Sequence, residues 1–307
     1  MLSNQSDLEE LRRRLDAIDD RLQDLLIERL EIVSRVAAEK RSDGVPWYVP
    51  AREAQIIRRL VARQGDAFPV GPLVRIWREL LGATTRAQGP FAIGAYVPQD
   101  GPGVWDLSRD HYGSNAPITV FQTTFQVIRA VTDRRVAVGV LPMPQDGDSD
   151  PWWVALLSPD VEVPRVIGRL PFGPRGNARS SGGDALAIGY GVQPSSGSDR
   201  TLLATENAVE ISHGRFSSAF SGLGMTCTLI ASSDRGGSAN TLIEIDGFVA
   251  LADPRLQQLR ERLGGDLLRL LAIGSYAIPL AEAATSSGSG LTQPIAMSAA
   301  GGHGARE

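Results

Sequence analysis

The chain has 307 residues, 42% hydrophobic and 21% charged, which is room for two or three domains with ordinary cores. Its net charge of -4 lacks the basic footprint of a nucleic-acid binder, and no apolar run reaches the length of a membrane span. A single cysteine, Cys227, allows no disulfide framework, and together with a polar, acidic N-terminus it points to the cytoplasm.

Ser6 and Glu9 form the capping-box pattern that opens a helix. From about Leu8 to Arg41, apolar side chains recur at Leu8, Leu11, Leu15, Ile18, Leu22, Leu25, Ile32 and Val36, the spacing of a helix that buries one stripe. Arg29 stands where that series lacks a member, and Lys40 returns to within about 20° of the same face. Two cations beside a core stripe imply either paired carboxylates or an anionic ligand inside the bundle. The alternative for Arg29 alone is a place at the stripe's edge, with its stem on Leu25 and Val33 and its head in water. Lys40 is the only lysine among 31 lysine and arginine residues, which suits a need for a compact ammonium rather than a planar fork. At about 50 Å the helix is too long for one small domain to cover, so it should be shared with a second copy of the chain.

Asp43, Gly44 and Pro46 end this helix, and Pro50 opens a short one running to about Gln64. Ile56, Ile57 and Leu60 form its inner face, with Glu53 one turn earlier on the same side. A third helix, from about Leu73 to Ala87, turns inward Leu73, Trp77, Leu80 or Leu81, then Thr84 and Gln88, so an apolar row finishes in two hydrogen-bonding side chains.

At Gly89 and Pro90 the periodicity changes. Phe91 to Tyr96 reads as a strand, Phe121 to Thr132 as a helix and Arg135 to Leu141 as a strand, together a small α/β unit. Pro142 to Asp150 is a polar loop, and the Gly-, Ser- and Arg-rich run from Phe172 to Gly183 reads as a flexible linker. Apolar segments at Leu186–Tyr190, Thr226–Ala231 and Thr241–Phe248 alternate with helical stretches at about Ala208–Leu223 and Pro254–Leu263, which suggests an antiparallel sheet with helices on one face. The Ser-, Gly- and Ala-rich tail from about Ala281 should be disordered.

The three histidines, His111, His213 and His303, are scattered, and no serine–histidine–acid elbow is recognisable, so neither a metal nor any other cofactor is expected. What remains is a set of cations, a carboxylate, an amide and a hydroxyl on inward faces of the first 90 residues. Such a set holds a small multi-anionic molecule and stabilises charge moving within it, without acid, base or nucleophile.

These residues, LRRRLDAIDDRLQDLLIERLEIVSRVAAEKR and then AREAQIIRRL, closely resemble the all-helical class of chorismate mutase found at the N-terminus of the bifunctional chorismate mutase/prephenate dehydratase. The resemblance covers nearly all of residues 7 to 90. It implies an all-α three-helix domain that forms an intertwined dimer, each site drawing on both chains, and the rearrangement of chorismate to prephenate in phenylalanine and tyrosine biosynthesis. By the same resemblance Arg12 crosses from the second chain to one substrate carboxylate and Arg29 holds the other. Lys40 and Gln88 donate to the ether oxygen, Glu53 takes the substrate hydroxyl, Arg52 lies beside it, and Thr84 stands where the family has a small polar residue. Val49 replaces an aspartate common in the family, which should weaken binding by about 0.5 to 1.5 kcal/mol.

The remainder resembles a prephenate dehydratase lobe followed by an ACT-like regulatory domain, on the strength of Glu244, Ile245, Asp246, Gly247 and of Gly274, Ser275, Tyr276. The dehydratase motifs are missing: Ile93 to Gln99 lacks Gly-Pro-x-Gly, Pro142, Met143, Pro144 and Gln145 replace Pro-x-Glu-Asn, and Asp184, Ala185 and Leu186 stand in place of Thr-Arg-Phe. Asn207 to Glu210 and Ala231 to Asp234 likewise depart from the effector motifs. The expectation is a multidomain chain: a chorismate mutase domain over 1–90, a reduced α/β dehydratase-like lobe over 91–172, a linker over 173–184, an α+β ACT-like domain over 185–280 and a tail over 281–307. The functional expectation is a chorismate mutase that has lost the dehydratase activity, with a regulatory partner enzyme of the aromatic pathway as a further partner. The alternatives are the full bifunctional enzyme and a non-catalytic dimeric regulatory or scaffold protein.

Overall fold

The computed structural model describes residues 2–42, 48–65, 67–160, 162–177, 183–191, 193–235 and 238–280. Helices α1 (Leu2–Ser42), α2 (Pro50–Gln64) and α3 (Val70–Gln88) come first. Helix α1 has already begun at Leu2, so Ser6 lies inside it and not at its cap. The expected stop at Asp43, Gly44 and Pro46 falls outside the described residues. Pro50 occupies the first turn of α2, where its missing N–H costs nothing, and the Val49 carbonyl accepts the N–H groups of Arg52 at 2.9 Å and Glu53 at 3.4 Å.

Only the C-terminal part of helix α1 packs within the chain. Arg29, Val33, Ala37 and Lys40 are buried or half-buried, and Arg29 meets α3 directly. From Asp7 to Glu28 every side chain of α1 is exposed, the leucines included (Leu15 59%, Leu22 54%), because no other described element of the chain packs on that half. Helix α3 packs on two sides. Val74, Arg78, Leu81 and Thr85 form its most buried row, against α2 and the sheet-bearing part of the chain, while Trp77, Thr84 and Gln88 turn toward α1.

Among the described residues the strands form one nine-stranded sheet in the order β2-β1-β3-β5-β4-β9-β6-β8-β7. Strands β1 (Ile93–Tyr96), β2 (Ile118–Phe121) and β3 (Val138–Pro142) are parallel, connected through α4 (Trp105–Tyr112) and α5 (Thr124–Thr132). Part of the expected helix from Phe121 is therefore strand β2 and its turn; Thr123 and Gln126 make the capping box that starts α5. Helix α4 and strand β4 (Arg165–Leu170) were not expected. Strand β5 (Ala185–Gly189) pairs antiparallel with β3 and β4, which corrects its assignment to the last domain. All five of its residues are buried, so its sequence fits either sheet equally well.

Strands β6 (Asp199–Asn207), β7 (Cys227–Arg235), β8 (Ser238–Asp246) and β9 (Leu267–Ala277), with α6 (His213–Ser221) and α7 (Pro254–Leu263), make a split βαβ unit, the antiparallel sheet with helices on one face that the sequence predicts. Alternate residues serve opposite faces: Leu203, Ile243 and Leu270 pack under α6 and α7, whereas Leu202, Leu242 and Tyr276 pack with Trp152 and Trp153. The two parts of the sheet join where Val166 of β4 pairs with Gly274 of β9. Gly274 has φ +143°, and any Cβ there would overlap the Val166 backbone, so the joint needs glycine.

The helical part is docked on this sheet. Phe172, placed in the linker by the sequence, is buried among Ala54, Ile57, Val74 and Leu81. Arg58 donates to the carbonyls of Ser198 at 2.9 Å and Ile278 at 2.7 Å, Arg75 pairs with Asp110, and Glu79 accepts the Ser114 N–H at 2.8 Å. Residues 178–182 of the expected linker and the whole tail from Ala281 lie outside the described residues. Among the described residues no helix is long and apolar enough to cross a membrane.

Helices α3 and α4 touch at Gly82, where a methyl group would overlap the Tyr112 carbonyl oxygen. Gly82→Ala should therefore lower the stability of the full chain by about 1 to 3 kcal/mol, the usual cost of overpacking a contact that cannot yield. Urea denaturation measures it; an unchanged midpoint would mean that α3 and α4 separate without cost.

Candidate active site

Packing of α1 on α3 sets the first half of the site. Arg29 Nη1 donates to Thr84 Oγ1 at 3.3 Å, and its guanidinium lies 5.6 Å from the centre of the Trp77 ring. The Thr84 hydroxyl is oriented by donating to the Leu80 carbonyl at 2.9 Å, one helical turn earlier. One turn later Gln88 Nε2 donates to the Thr84 carbonyl at 3.2 Å. Lys40 lies on the inner face of α1, three turns beyond Arg29, with buried Ala37 between them.

Helix α2 supplies the second half. Glu53 Oε2 accepts Arg78 Nη1 at 3.0 Å, and Oε1 accepts the Thr85 hydroxyl at 3.4 Å. Burial pushes the Glu53 carboxyl above the usual carboxylate range, while Arg78, Thr85 and Arg29 pull it back. Burial lowers the Arg29 guanidinium, and the field of Glu53 opposes that. Arg29 and Glu53, far apart in sequence, thus feel one another directly.

Of the residues singled out in the sequence, Arg29, Glu53, Thr84, Gln88 and Lys40 stand on facing inner surfaces of the first three helices. Arg12 and Arg52 are not brought to them within one chain. Arg12 is exposed about 25 Å along α1 from Arg29. Arg52 is exposed and donates to Gln55 Oε1 at 3.4 Å on its own helix.

Arg78 was missed. It is only 4% exposed, and its neighbourhood includes His111 and the tilted rings of Tyr48, Phe91 and Tyr112. Burial, reinforced by Arg78, holds the His111 imidazole well below its usual range, and burial raises both tyrosine hydroxyls. The available signal was charge balance: a carboxylate predicted beside a core stripe needs a cation, and Arg78 lies four residues after Val74 on its own helical row.

Cations, an amide, a hydroxyl and a carboxylate on facing helices suit a compact anion that also carries a hydroxyl. Residues 11–89 match the chorismate mutase type II family. The bifunctional chorismate mutase/prephenate dehydratase of Aquifex aeolicus is 28% identical over 141 residues, 45% of this chain and 39% of that protein. Its namesake from Pseudomonas aeruginosa is 25% identical over 147 residues, 46% of this chain and 40% of that protein. This chain thus spans about two fifths of the length of these curated relatives. A prephenate dehydratase structure from Streptococcus mutans aligns with a TM-score of 0.44 at 14% identity, covering 62% of this chain and 99% of that one. Arg29, Lys40, Glu53, Thr84 and Gln88 all lie within the residues 11–89 that match the chorismate mutase type II family.

Proposed function

We propose that the chain is a chorismate mutase, converting chorismate to prephenate, and that the observation carrying this reading is the Arg29–Thr84–Gln88 chain of hydrogen bonds facing Lys40 and Glu53. Arg29 takes one substrate carboxylate, and Thr84 fixes its guanidinium. Lys40 and Gln88 donate to the ether oxygen, where negative charge grows as the carbon–oxygen bond breaks and the new carbon–carbon bond forms. Glu53 accepts the substrate hydroxyl, and Arg52, which in the single chain donates to Gln55, turns to join it when the substrate binds. No proton moves, so the rate enhancement comes from holding the dianion folded and from donors aimed at the developing charge. No cofactor takes part.

The second carboxylate needs Arg12 from a second copy of the chain. The outward stripe from Leu8 to Val36 supports that copy: it is a continuous apolar ridge on a 41-residue helix, about 60 Å long, and Arg12 lies on the same helix beyond reach of its own Arg29. The mutase domain covers residues 1–90, followed by a reduced lobe that includes β5 and an ACT-like unit from β6 to about residue 280. The missing dehydratase motifs at Ile93–Gln99, Pro142–Gln145 and Asp184–Leu186 support the loss of that activity, and the single cysteine supports a cytoplasmic location. The names of the relatives favour the bifunctional alternative, and phenylpyruvate formed from prephenate would establish it.

Lys40→Ala and Gln88→Ala should each lower chorismate turnover by about 10²- to 10³-fold, the usual cost of removing one preorganised donor, with far-UV circular dichroism unchanged. Chorismate loss and prephenate gain, separated by chromatography, report it; near-normal turnover in purified Lys40→Ala would remove Lys40 from the mechanism, and no turnover in the unaltered chain would move the scaffold reading to the front. Leu22→Glu, which places a charge in the exposed stripe, should split the dimer. Sedimentation of the variant decides the matter, since a dimer of unchanged strength would place the interface elsewhere.

A further inference from the structure

We propose that Arg78 is a positioning residue for Glu53, and that the sheet-bearing part of the chain holds Arg78 in place through Phe172. This rests on the reading of the first three helices as the mutase. Arg78 approaches Glu53 from the face of α3 that carries Val74 and Thr85, whereas Arg29 approaches from the side of α1. It therefore acts on the site without contacting the substrate.

The grip on the carboxylate is specific. Arg78 Nη1 takes one Glu53 oxygen at 3.0 Å, and the Thr85 hydroxyl takes the other at 3.4 Å. Both partners of the ion pair are largely withdrawn from water, at 5% and 13% side-chain exposure, so neither is free to swing toward solvent. One guanidinium N–H on one oxygen and one hydroxyl on the other set the direction of the carboxylate as well as its charge.

The cation is in turn seated by residues beyond the mutase helices. Its guanidinium carbon lies 5.2 Å from the centre of the Phe172 ring, and Phe172 is buried between α2 and α3 although it follows β4 in the chain. His111 and Tyr112 reach Arg78 from α4, Tyr48 from the segment before α2, and Glu53 from α2. Burial, reinforced by Arg78, holds the His111 imidazole well below its usual range. The sheet-bearing part thereby closes the back of the mutase site and fixes the pose of its carboxylate.

The test uses the full chain with Arg78→Gln, Arg78→Lys and Phe172→Leu, each checked for folding by circular dichroism. The Glu53 carboxyl is followed by carbon-13 resonance, assigned with Glu53→Gln, so one readout needs no turnover. Loss of the cation leaves burial unopposed on that side, and the Glu53 titration should move up by about one pH unit or more in Arg78→Gln. The acid limb of kcat/KM for chorismate should move up with it. Arg78→Lys should restore part of both, and Phe172→Leu should shift both in the same direction by less. An unmoved titration in folded Arg78→Gln overturns the proposal; if that variant does not fold, an unmoved titration in Phe172→Leu does so. A moved titration in a chain that does not consume chorismate would leave Arg78 as the residue that sets Glu53 and would overturn the mutase reading instead.

Discussion

The buried ion pair between Glu53 and Arg78 is the constraint on which the arrangement of the first three helices depends. A carboxylate placed between α2 and α3 needs a cation to keep its charge, since burial raises its carboxyl above the usual range. Arg78 and Thr85 satisfy it, and both lie on one row of α3, so the pairing fixes the rotation of α3 about its own axis. That rotation is what brings Trp77, Thr84 and Gln88 round to α1. Arg29 then meets a neutral hydroxyl and an aromatic face, with no carboxylate in bonding contact among the described residues. Its positive charge is positioned and only partly compensated, which is the electrostatic condition for receiving an anion.

On helix α1, Arg29 and Lys40 share the leucine stripe's face, with Val33 and Ala37 at its edge, since on a helix of 3.6 residues per turn Arg29 lies within about 40° of Leu15, Ile18, Leu22 and Leu25. Within the chain that face is covered only from Arg29 onward, and from Asp7 to Glu28 it stands exposed. The same helix therefore packs on its own α3 through its C-terminal part while its N-terminal leucines stand clear of the chain. Site and oligomer are built from a single element, and a change in how α1 is held affects both.

The helices and most of their inner polar residues were legible, because periodicity and unexpected charge are both visible in a sequence. Arg29, Glu53, Thr84 and Gln88 were found as polar interruptions of apolar rows. Arg78 was not, because α3 was given one inner face and it has two. In the sheet-bearing part the failures have local causes. No glycine or proline separates β2 from the following helix, so the helix reading starts at Phe121 and the strand Ile118–Phe121 goes unread. Arg165–Leu170 carries two arginines and a glycine, and it is a strand because Arg165 spends its guanidinium on the carbonyls of Leu156 and Ser158 at 2.8 and 2.7 Å. Phe172 sat in a run of glycine, serine and arginine, where composition outweighed one aromatic ring.

That ring connects the two parts of the molecule. It follows β4, and β4 is held from both sides: by β5 in an antiparallel ladder and by β9 at the Gly274 joint. Side chains reinforce the position. Arg169 of β4 donates to Asp184 at 2.6 Å and to the Tyr276 hydroxyl at 3.4 Å; Tyr276 donates to Glu244, and Arg200 pairs with Glu244 at 3.1 Å. This network ties β4 to β6, β8 and β9, so the segment carrying Phe172 moves only if the whole sheet does. A packed interior transmits such a displacement rather than absorbing it. Phe172 is thus a rigid stop behind Arg78, and the geometry at Glu53 depends on strands that contribute no side chain to the site itself.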